Sequence, residues 1–193
     1  MVRHGRTGDN ASGRIQGQVD AKLDEVGRAQ ARAVAIRLAE LAPAAIVASD
    51  LSRAVDTAAE LTDRTGLPVR YDPRLRERSF GRWQGLLNSE VAERFPEAYA
   101  RWQAGQPVDG FDIEPVDEVA KRSAAAFEDA ADLAPEGTVV VFGHGAAARY
   151  GTAVLLGWPT QLVRTLRPLG NCRWIDLSRH PVQGWQLAGY NIG

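Results

Sequence analysis

Thr138-Val139-Val140-Val141-Phe142-Gly143-His144-Gly145 is the stretch on which the reading of this chain turns. Four β-branched residues in a row, followed by Phe142, read as a strand buried on both faces, because no polar residue alternates with the valines. The run stops at Gly143-His144-Gly145 and passes into an Ala-rich helix that reaches about Leu156. A strand ending in a turn that enters a helix is the building unit of an α/β sheet, whose ligands bind beyond the carboxyl ends of the strands. A histidine stands at that end here.

The same alternation continues upstream. Asp24 is the expected N-cap of a helix running to Leu41, with Val26, Ala29, Ala33, Ile36, Ala39 and Ala42 at helical spacing as its apolar face and Pro43 beyond its end. Ala44 to Ala48 reads as a short buried strand. A second helix runs from about Leu51 to Arg64 and is closed by Gly66 and Pro68; Val69-Arg70-Tyr71 follows as an extended piece. Residues 72–86 carry little periodicity and suit a functional loop. Helical segments occupy about 88–104, broken at Pro96; Gln106 to Pro115 is a loop, and a helix spans Val116 to Leu133. Arg173 to Leu177 alternates in period two and is expected to pair with Trp185 to Tyr190 as a hairpin.

The sequence thus predicts a three-layer α/β/α sandwich around a mostly parallel sheet, with residues 1–193 as one domain. Its first strand has almost no length, since Met1-Val2 leads straight into Arg3-His4-Gly5. A strand of two residues is expected to hold His4 poorly unless further residues precede Met1.

Composition narrows the function. The 193 residues suit one domain, and 45% apolar with 24% charged residues is ordinary for a soluble globular fold. Lys plus Arg is 23 and Asp plus Glu is 24, so the net charge of −1 argues against a general nucleic-acid binder. Lys22 and Lys121 are the only lysines. Arginine is the residue suited to bidentate phosphate contacts, so individual arginine positions matter. Cys172 is the only cysteine, which excludes an intramolecular disulfide and a thiolate zinc site. No apolar run approaches the roughly 18 residues of a membrane span, and no signal-peptide pattern opens the chain. A cytoplasmic protein is expected, without membrane or nucleic-acid partners, as a monomer or homodimer.

Three further stretches carry chemistry. In Arg3-His4-Gly5-Arg6-Thr7-Gly8-Asp9-Asn10, a histidine at a strand end is followed by glycine and ringed by donors from Arg3, Thr7 and Asn10 that suit an anion. With His144 this makes two imidazoles at one sheet edge. A zinc site would want a third ligand and usually a short helical histidine pair, so no metal and no cofactor are expected. Ser49-Asp50-Leu51-Ser52-Arg53-Ala54 opens a helix after a strand, where free N–H groups favour anions and Arg53 can reach the same ligand; Ser49 or Asp50 is the expected cap. In Leu75-Arg76-Glu77-Arg78-Ser79-Phe80-Gly81-Arg82-Trp83-Gln84-Gly85, the Glu77 carboxyl lies among arginines, and Phe80 with Trp83 is expected to form an apolar wall that suits a general acid.

In order, these stretches give Arg-His-Gly-x-Thr with Asn six residues after the histidine, Ser-Asp-Leu-x-Arg-Ala-x-x-Thr-Ala, Leu-x-Glu-x-x-Phe-Gly-x-Trp-Gln-Gly, and Gly-His-Gly. The combination resembles the histidine phosphatase superfamily, in its phosphoglycerate-mutase-like branch, and most resembles the small bacterial phosphatases there. The resemblance implies a phosphoglycerate-mutase-like fold and a phosphomonoesterase that works through phosphohistidine on a small phosphorylated substrate. It implies His4 as nucleophile, Arg3, Arg53 and His144 around the transferring phosphoryl group, and Glu77 as proton donor to the leaving oxygen. Asn10, Arg14, Gln16, Gly17, Arg78 and Gly145 then fall at phosphate- or substrate-binding positions. The chain departs from the family where Asp112-Ile113-Glu114-Pro115 stands for Gly-Gly-Glu-Ser and where Ala146 follows Gly145. Two alternatives stay open: a cofactor-dependent phosphoglycerate mutase, which Arg78 beside Glu77 resembles, and a non-catalytic phosphate-recognising protein of the same fold. The short stretch between Gly85 and Val116 leaves little room for a mutase's shielding insertion.

Overall fold

The computed structural model describes residues 1–193. In chain order its elements are β1 (Val2–Arg3), α1 (Gly8–Ser12), α2 (Glu25–Glu40), β2 (Ala45–Ala48), α3 (Ser52–Thr65), β3 (Val69–Tyr71), α4 (Asn88–Arg94), α5 (Pro96–Gln103), α6 (Val116–Ala131), β4 (Val139–Gly143), α7 (Gly145–Leu155), β5 (Trp174–His180) and β6 (Gly184–Ile192). Short 3₁₀ turns lie at Pro73–Leu75, Gly81–Trp83 and Thr160–Thr165. The six strands form one sheet in the order β3-β2-β4-β1-β5-β6. β3, β2, β4 and β1 run parallel, and the β5–β6 hairpin closes the sheet antiparallel. No helix is long and apolar enough to cross a membrane.

Both faces of the sheet are covered, which is why β4 is apolar throughout. Ala31, Val34, Ala35 and Leu38 of α2 and Ala58 and Leu61 of α3 pack on Ile46, Val140 and Phe142 on one face. Ala126, Phe127 and Ala130 of α6 pack on Val47 and Val141 on the other. A third cluster lies beside the sheet, where Ile15, Trp83 and Val91 gather Phe80, Phe95, Tyr99, Trp102 and Phe111.

The expected α2 face is corrected. Val26 and Ile36 are 43% and 49% exposed, and the buried side is Gly27, Ala31, Val34, Ala35 and Leu38. Alanines are spread around this helix, so apolar spacing alone does not choose a face. Packing selects the side where Leu38 and Val34 meet the sheet and Gly27 lets the backbone of Arg6 approach: a Cβ on Gly27 would lie 2.0 Å from the Arg6 carbonyl oxygen.

The short first strand is also held better than its length suggests. Val2 is 1% exposed and pairs with Phe142 on one side and Trp174 on the other. Arg3 N donates to Arg173 O at 3.0 Å, His4 N to Gly143 O at 3.0 Å, and Ile175 N to Met1 O at 2.8 Å. Two neighbouring strands grip the segment that carries His4.

Candidate active site

His4 leaves the carboxyl end of β1, and His144 follows β4, the strand paired beside it. Their ring centroids are 5.1 Å apart, so the parallel pairing brings the two imidazoles to one place. His4 is 3% exposed, His144 0% and Arg53 1%. His4 Nδ1 lies 2.7 Å from the carbonyl oxygen of Gly5, which can only accept, so Nδ1 carries the proton and Nε2 keeps its lone pair. Burial, then the charges of Arg53 and Arg3, push the His4 pKa well below its ordinary value, and the Gly5 bond opposes this only in part. The ring is neutral. Gly5 N donates to Thr57 Oγ1 at 3.0 Å, which fixes the turn after the His4 ring.

Arg53 enters from the first turn of α3. Its Nε donates to His4 Nε2 at 3.3 Å, while its two terminal nitrogens donate to Val19 O at 2.9 Å and Gly17 O at 2.8 Å. The loop through Gln16, Gly17 and Val19 thereby cups this guanidinium. Gly17 has φ +53°, and a Cβ there would lie 2.1 Å from Gln84 Oε1, so glycine suits both the turn and the contact. Arg3 is anchored by one terminal nitrogen to Leu169 O at 2.5 Å. Its Nε is buried without a partner in the protein, and so is Nδ1 of His144. A Cβ on Gly145 would come within 3.6 Å of that Arg3 Nε, in ordinary contact. The other nitrogen of His144, Nε2, sits 2.9 Å from Ser49 Oγ. Burial, then Arg53, His4, Arg3 and Arg122, hold the His144 pKa well below its ordinary value.

Glu77 completes the group, in surroundings unlike those expected. Trp83 and Phe80 belong to the aromatic cluster with Ile15 and Val91 and build no wall around it. Instead its carboxylate sits on the N-terminus of α7, accepting from Ala146 N at 3.1 Å, Ala147 N at 3.1 Å and Arg78 N at 2.8 Å. His144 occupies the cap position of α7 with no side-chain capping bond, so Glu77 supplies the acceptor from outside the helix.

The remaining residues divide. Asn10 Oδ1 accepts from Thr7 N and Asn171 Nδ2, both at 3.2 Å, which leaves its own Nδ2 as the donor. Thr7 is drawn inward as the cap of α1, so its hydroxyl accepts from Asn10 N rather than facing an anion. Gln16 is buried with Oε1 unpartnered. Arg14 donates to Gly85 O and lies 3.9 Å from Asp9 and 3.8 Å from Glu90, so its charge is taken up by α1 and α4. Arg78 donates Nε to Glu114 O at 2.7 Å and covers the Phe80 ring at 5.6 Å. Neither Ser49 nor Asp50 caps α3; Leu51 stands there, and Asp50 pairs with Arg76 at 2.5 Å.

The sequence does not assign the supporting roles of several residues: Ser49 behind His144, Thr57 behind Gly5, Gln18 whose Nε2 donates to Glu77 O at 3.1 Å, Asn171 which donates to His4 O at 3.0 Å, and Arg122. Their positions depend on chain segments far apart in sequence, although Ser49 and Thr57 both stand in the Ser-Asp-Leu-x-Arg-Ala-x-x-Thr-Ala stretch. A cavity of about 440 Å³ opens at the other end of the strands between Leu38, Phe127, Val140 and Trp174, and neither of these histidines nor Arg3, Arg53 or Glu77 lines it.

This arrangement matches known proteins along its whole length. The family model of the histidine phosphatase superfamily (branch 1) matches residues 1–193. Glucosyl-3-phosphoglycerate phosphatase of Mycolicibacterium vanbaalenii is 40% identical over 187 residues, covering 93% of this chain and 83% of its own. Metal-independent phosphoserine phosphatase of Arabidopsis thaliana is 42% identical over 156 residues, covering 77% of this chain and 64% of its own. The solved structure of mycobacterial glucosyl-3-phosphoglycerate phosphatase with VO3 superimposes with a TM-score of 0.90 at 39% identity, over 100% of this chain and 98% of that one.

Proposed function

Because the chain belongs to the histidine phosphatase superfamily (branch 1), we propose that it hydrolyses phosphomonoesters of small metabolites through a phosphohistidine on His4. The observation that carries this reading is the grouping of a neutral, tautomer-fixed His4 with Arg53, His144 and Arg3, all buried at one end of the sheet. Nε2 of His4 holds a lone pair, Arg53 stands 3.3 Å from it, and Arg3 Nε and His144 Nδ1 are buried without partners in the protein. A phosphoryl group supplies the acceptor oxygens that Arg3 Nε needs, and that His144 Nδ1 needs when Ser49 donates its hydroxyl to Nε2.

The reaction runs in two halves. Nε2 of His4 attacks phosphorus in line with the ester oxygen, forming the N–P bond as the P–O ester bond breaks. Arg3, Arg53, His144 and the Asn10 amide hold the equatorial oxygens, whose charge is spread in the transition state. Glu77 gives its proton to the departing oxygen. In the second half the Glu77 carboxylate takes a proton from water as that oxygen attacks phosphorus. The N–P bond breaks, its electrons return to Nε2, and inorganic phosphate leaves. Arg3 and Arg53 supply the positive charge this chemistry requires, with His144 as a neutral partner, so EDTA leaves the rate unchanged.

The relatives' names support a substrate that joins a phosphate monoester to a carboxylate, as glucosyl-3-phosphoglycerate and phosphoserine do. Gln16, Gly17, Arg78 and Gly145 are the substrate-side residues of this reading. Arg14 contributes by holding the loop to α4. The enzyme of this reading is a monomer or a homodimer. A lone Cys172 thiol, buried and pushed up to about 12 by that burial, suits a cytoplasmic enzyme.

The test measures phosphate released from glucosyl-3-phosphoglycerate, phosphoserine and 3-phosphoglycerate, alongside 2-phosphoglycerate formed with and without 2,3-bisphosphoglycerate. Hydrolysis outpacing isomerisation is the expected result. Isomerisation faster than release, stimulated by the bisphosphate, would make the chain a mutase.

A further inference from the structure

Arg122 lies on α6, outside the group of side chains around His4, and all five of its N–H donors are used. Nε donates to Glu114 Oε1 at 2.6 Å, and one terminal nitrogen donates to the backbone carbonyls of Arg74 at 2.6 Å and Arg76 at 2.7 Å. The other donates to the carbonyl of Glu77 at 3.1 Å and to Glu114 Oε2 at 2.8 Å. Glu114 in turn accepts from Ser79 N at 3.0 Å, donates its own N–H to Ser79 O at 2.9 Å, and gives its carbonyl to Arg78 Nε at 2.7 Å. One guanidinium and its carboxylate partner therefore hold the whole turn from Arg74 to Ser79. The pair is partly buried, with side chains 20% and 14% exposed. A buried ion pair costs desolvation, so its worth lies in what it fixes.

What it fixes is the segment that carries Glu77. The Glu77 carbonyl is pinned by Arg122 and Gln18, while its carboxylate is pinned from the other side by the amides of Ala146 and Ala147. We propose that Arg122, locked by Glu114, is the positioning residue that sets where the Glu77 carboxyl meets the leaving oxygen. The inference rests on the phosphatase reading above. Proton delivery requires hydrogen-bond reach, and a misplacement of about 1 Å can cost on the order of 10²-fold.

The test is Arg122→Lys. It keeps the positive charge near His144 but has three donors, no planar fork and no way to span three carbonyls and a carboxylate. Values of kcat/KM, which report phosphoryl transfer to His4, are measured on aryl phosphates of graded leaving ability and on 3-phosphoglycerate. With 3-phosphoglycerate, whose alkoxide must be protonated, Arg122→Lys is expected to lose about 10- to 100-fold. With p-nitrophenyl phosphate it is expected to lose less than about threefold, because a good leaving group needs little acid assistance. In a Glu77→Gln background, Arg122→Lys is expected to change kcat/KM by less than about twofold, since the group it positions is already gone.

Equal losses across the series, or a full loss added to that of Glu77→Gln, would overturn the proposal. Thermal melting checks that the variant folds. Glu114→Gln keeps Arg122 on the carbonyls but loosens its clamp, so it carries the same test should Arg122→Lys fail to fold. A selective loss on poor leaving groups supports the proposal there, and a uniform loss overturns it. Absence of phosphate release by the unaltered enzyme across the whole series would instead remove the phosphatase reading itself.

Discussion

Arg53 aims its Nε–H at Nε2 of His4 across 3.3 Å, while the far side of the same imidazole donates to the Gly5 carbonyl. The ring is thus fixed on both sides, with its lone pair facing the place where positive charge is gathered. A neutral imidazole held among arginines has consequences for stability as well as for chemistry.

Both buried imidazoles resist protonation in the folded chain, their pKa values lying well below the ordinary 6.5. In the unfolded chain they take up protons near the ordinary value. The unfolded state therefore binds more protons as pH falls, and stability is lost below about pH 6.5, by up to about 1.4 kcal/mol per pH unit for each ring. Urea unfolding at pH 7, 6 and 5 should record this decline, and His4→Gln should flatten it by roughly one proton's share. Stability that rises on acidification across this window would contradict the neutral assignment.

Arg53→Lys keeps the charge and removes the fork. The three acceptors now served at 3.3, 2.9 and 2.8 Å lie on His4, Val19 and Gly17, in directions one ammonium cannot span. The expected loss in kcat/KM is about 10²–10³-fold, the scale for removing an oriented donor from a transition-state cradle. Near-normal activity in steady-state phosphate release would reduce Arg53 to a source of charge alone.

Ser49→Ala takes away the partner of His144 Nε2. A buried ring nitrogen left unpaired costs about 1–3 kcal/mol, readable as a lower urea midpoint. The freed ring also loses its fixed orientation, so kcat/KM falls together with stability. Unchanged stability would mean that water replaces the hydroxyl without loss.

Two glycine substitutions should move in opposite directions. Gly27→Ala would put a methyl 2.0 Å from the Arg6 carbonyl oxygen, so the clash outweighs the gain in helix propensity and about 1–3 kcal/mol is lost. Gly8→Ala meets nothing within 4 Å in α1 and should gain about 0.5–1 kcal/mol. Differential scanning calorimetry of the two variants decides the matter, and a shared sign would refute the packing argument.

Much of this fold is legible in the sequence. The apolar run that became β4 and the spacings that became α3 and α6 specify their own secondary structure, and the turns carrying His4 and His144 follow from strands ending in glycine. The two imidazoles meet because β1 and β4 are parallel neighbours, which an α/β reading anticipates. The buried face of α2 was not legible, because its alanines cover more than one side and contact with the Gly5–Thr7 segment makes the choice. The setting of Glu77 differs from the expected apolar wall for a related reason. Trp83 lies six residues along, but the turn at Gly81 sends it into a separate aromatic cluster, and the amides of α7 arrive from 69 and 70 residues away. Arg122 looks like one more solvated arginine on a helix. Its role depends on carbonyls 45 to 48 residues upstream, a relation no local pattern encodes.

The central claim is that phosphate passes through Nε2 of His4, and rapid quenching in alkaline detergent of the enzyme with ³²P-labelled substrate tests it most directly. A phosphoryl group on an imidazole survives alkali and is lost in acid, the reverse of an acyl phosphate. The account predicts alkali-stable, acid-labile label that maps to the His4 peptide and disappears in His4→Ala, while that variant keeps its fold by circular dichroism. Label that persists in folded His4→Ala, or that is stable in acid and lost in alkali, would contradict it.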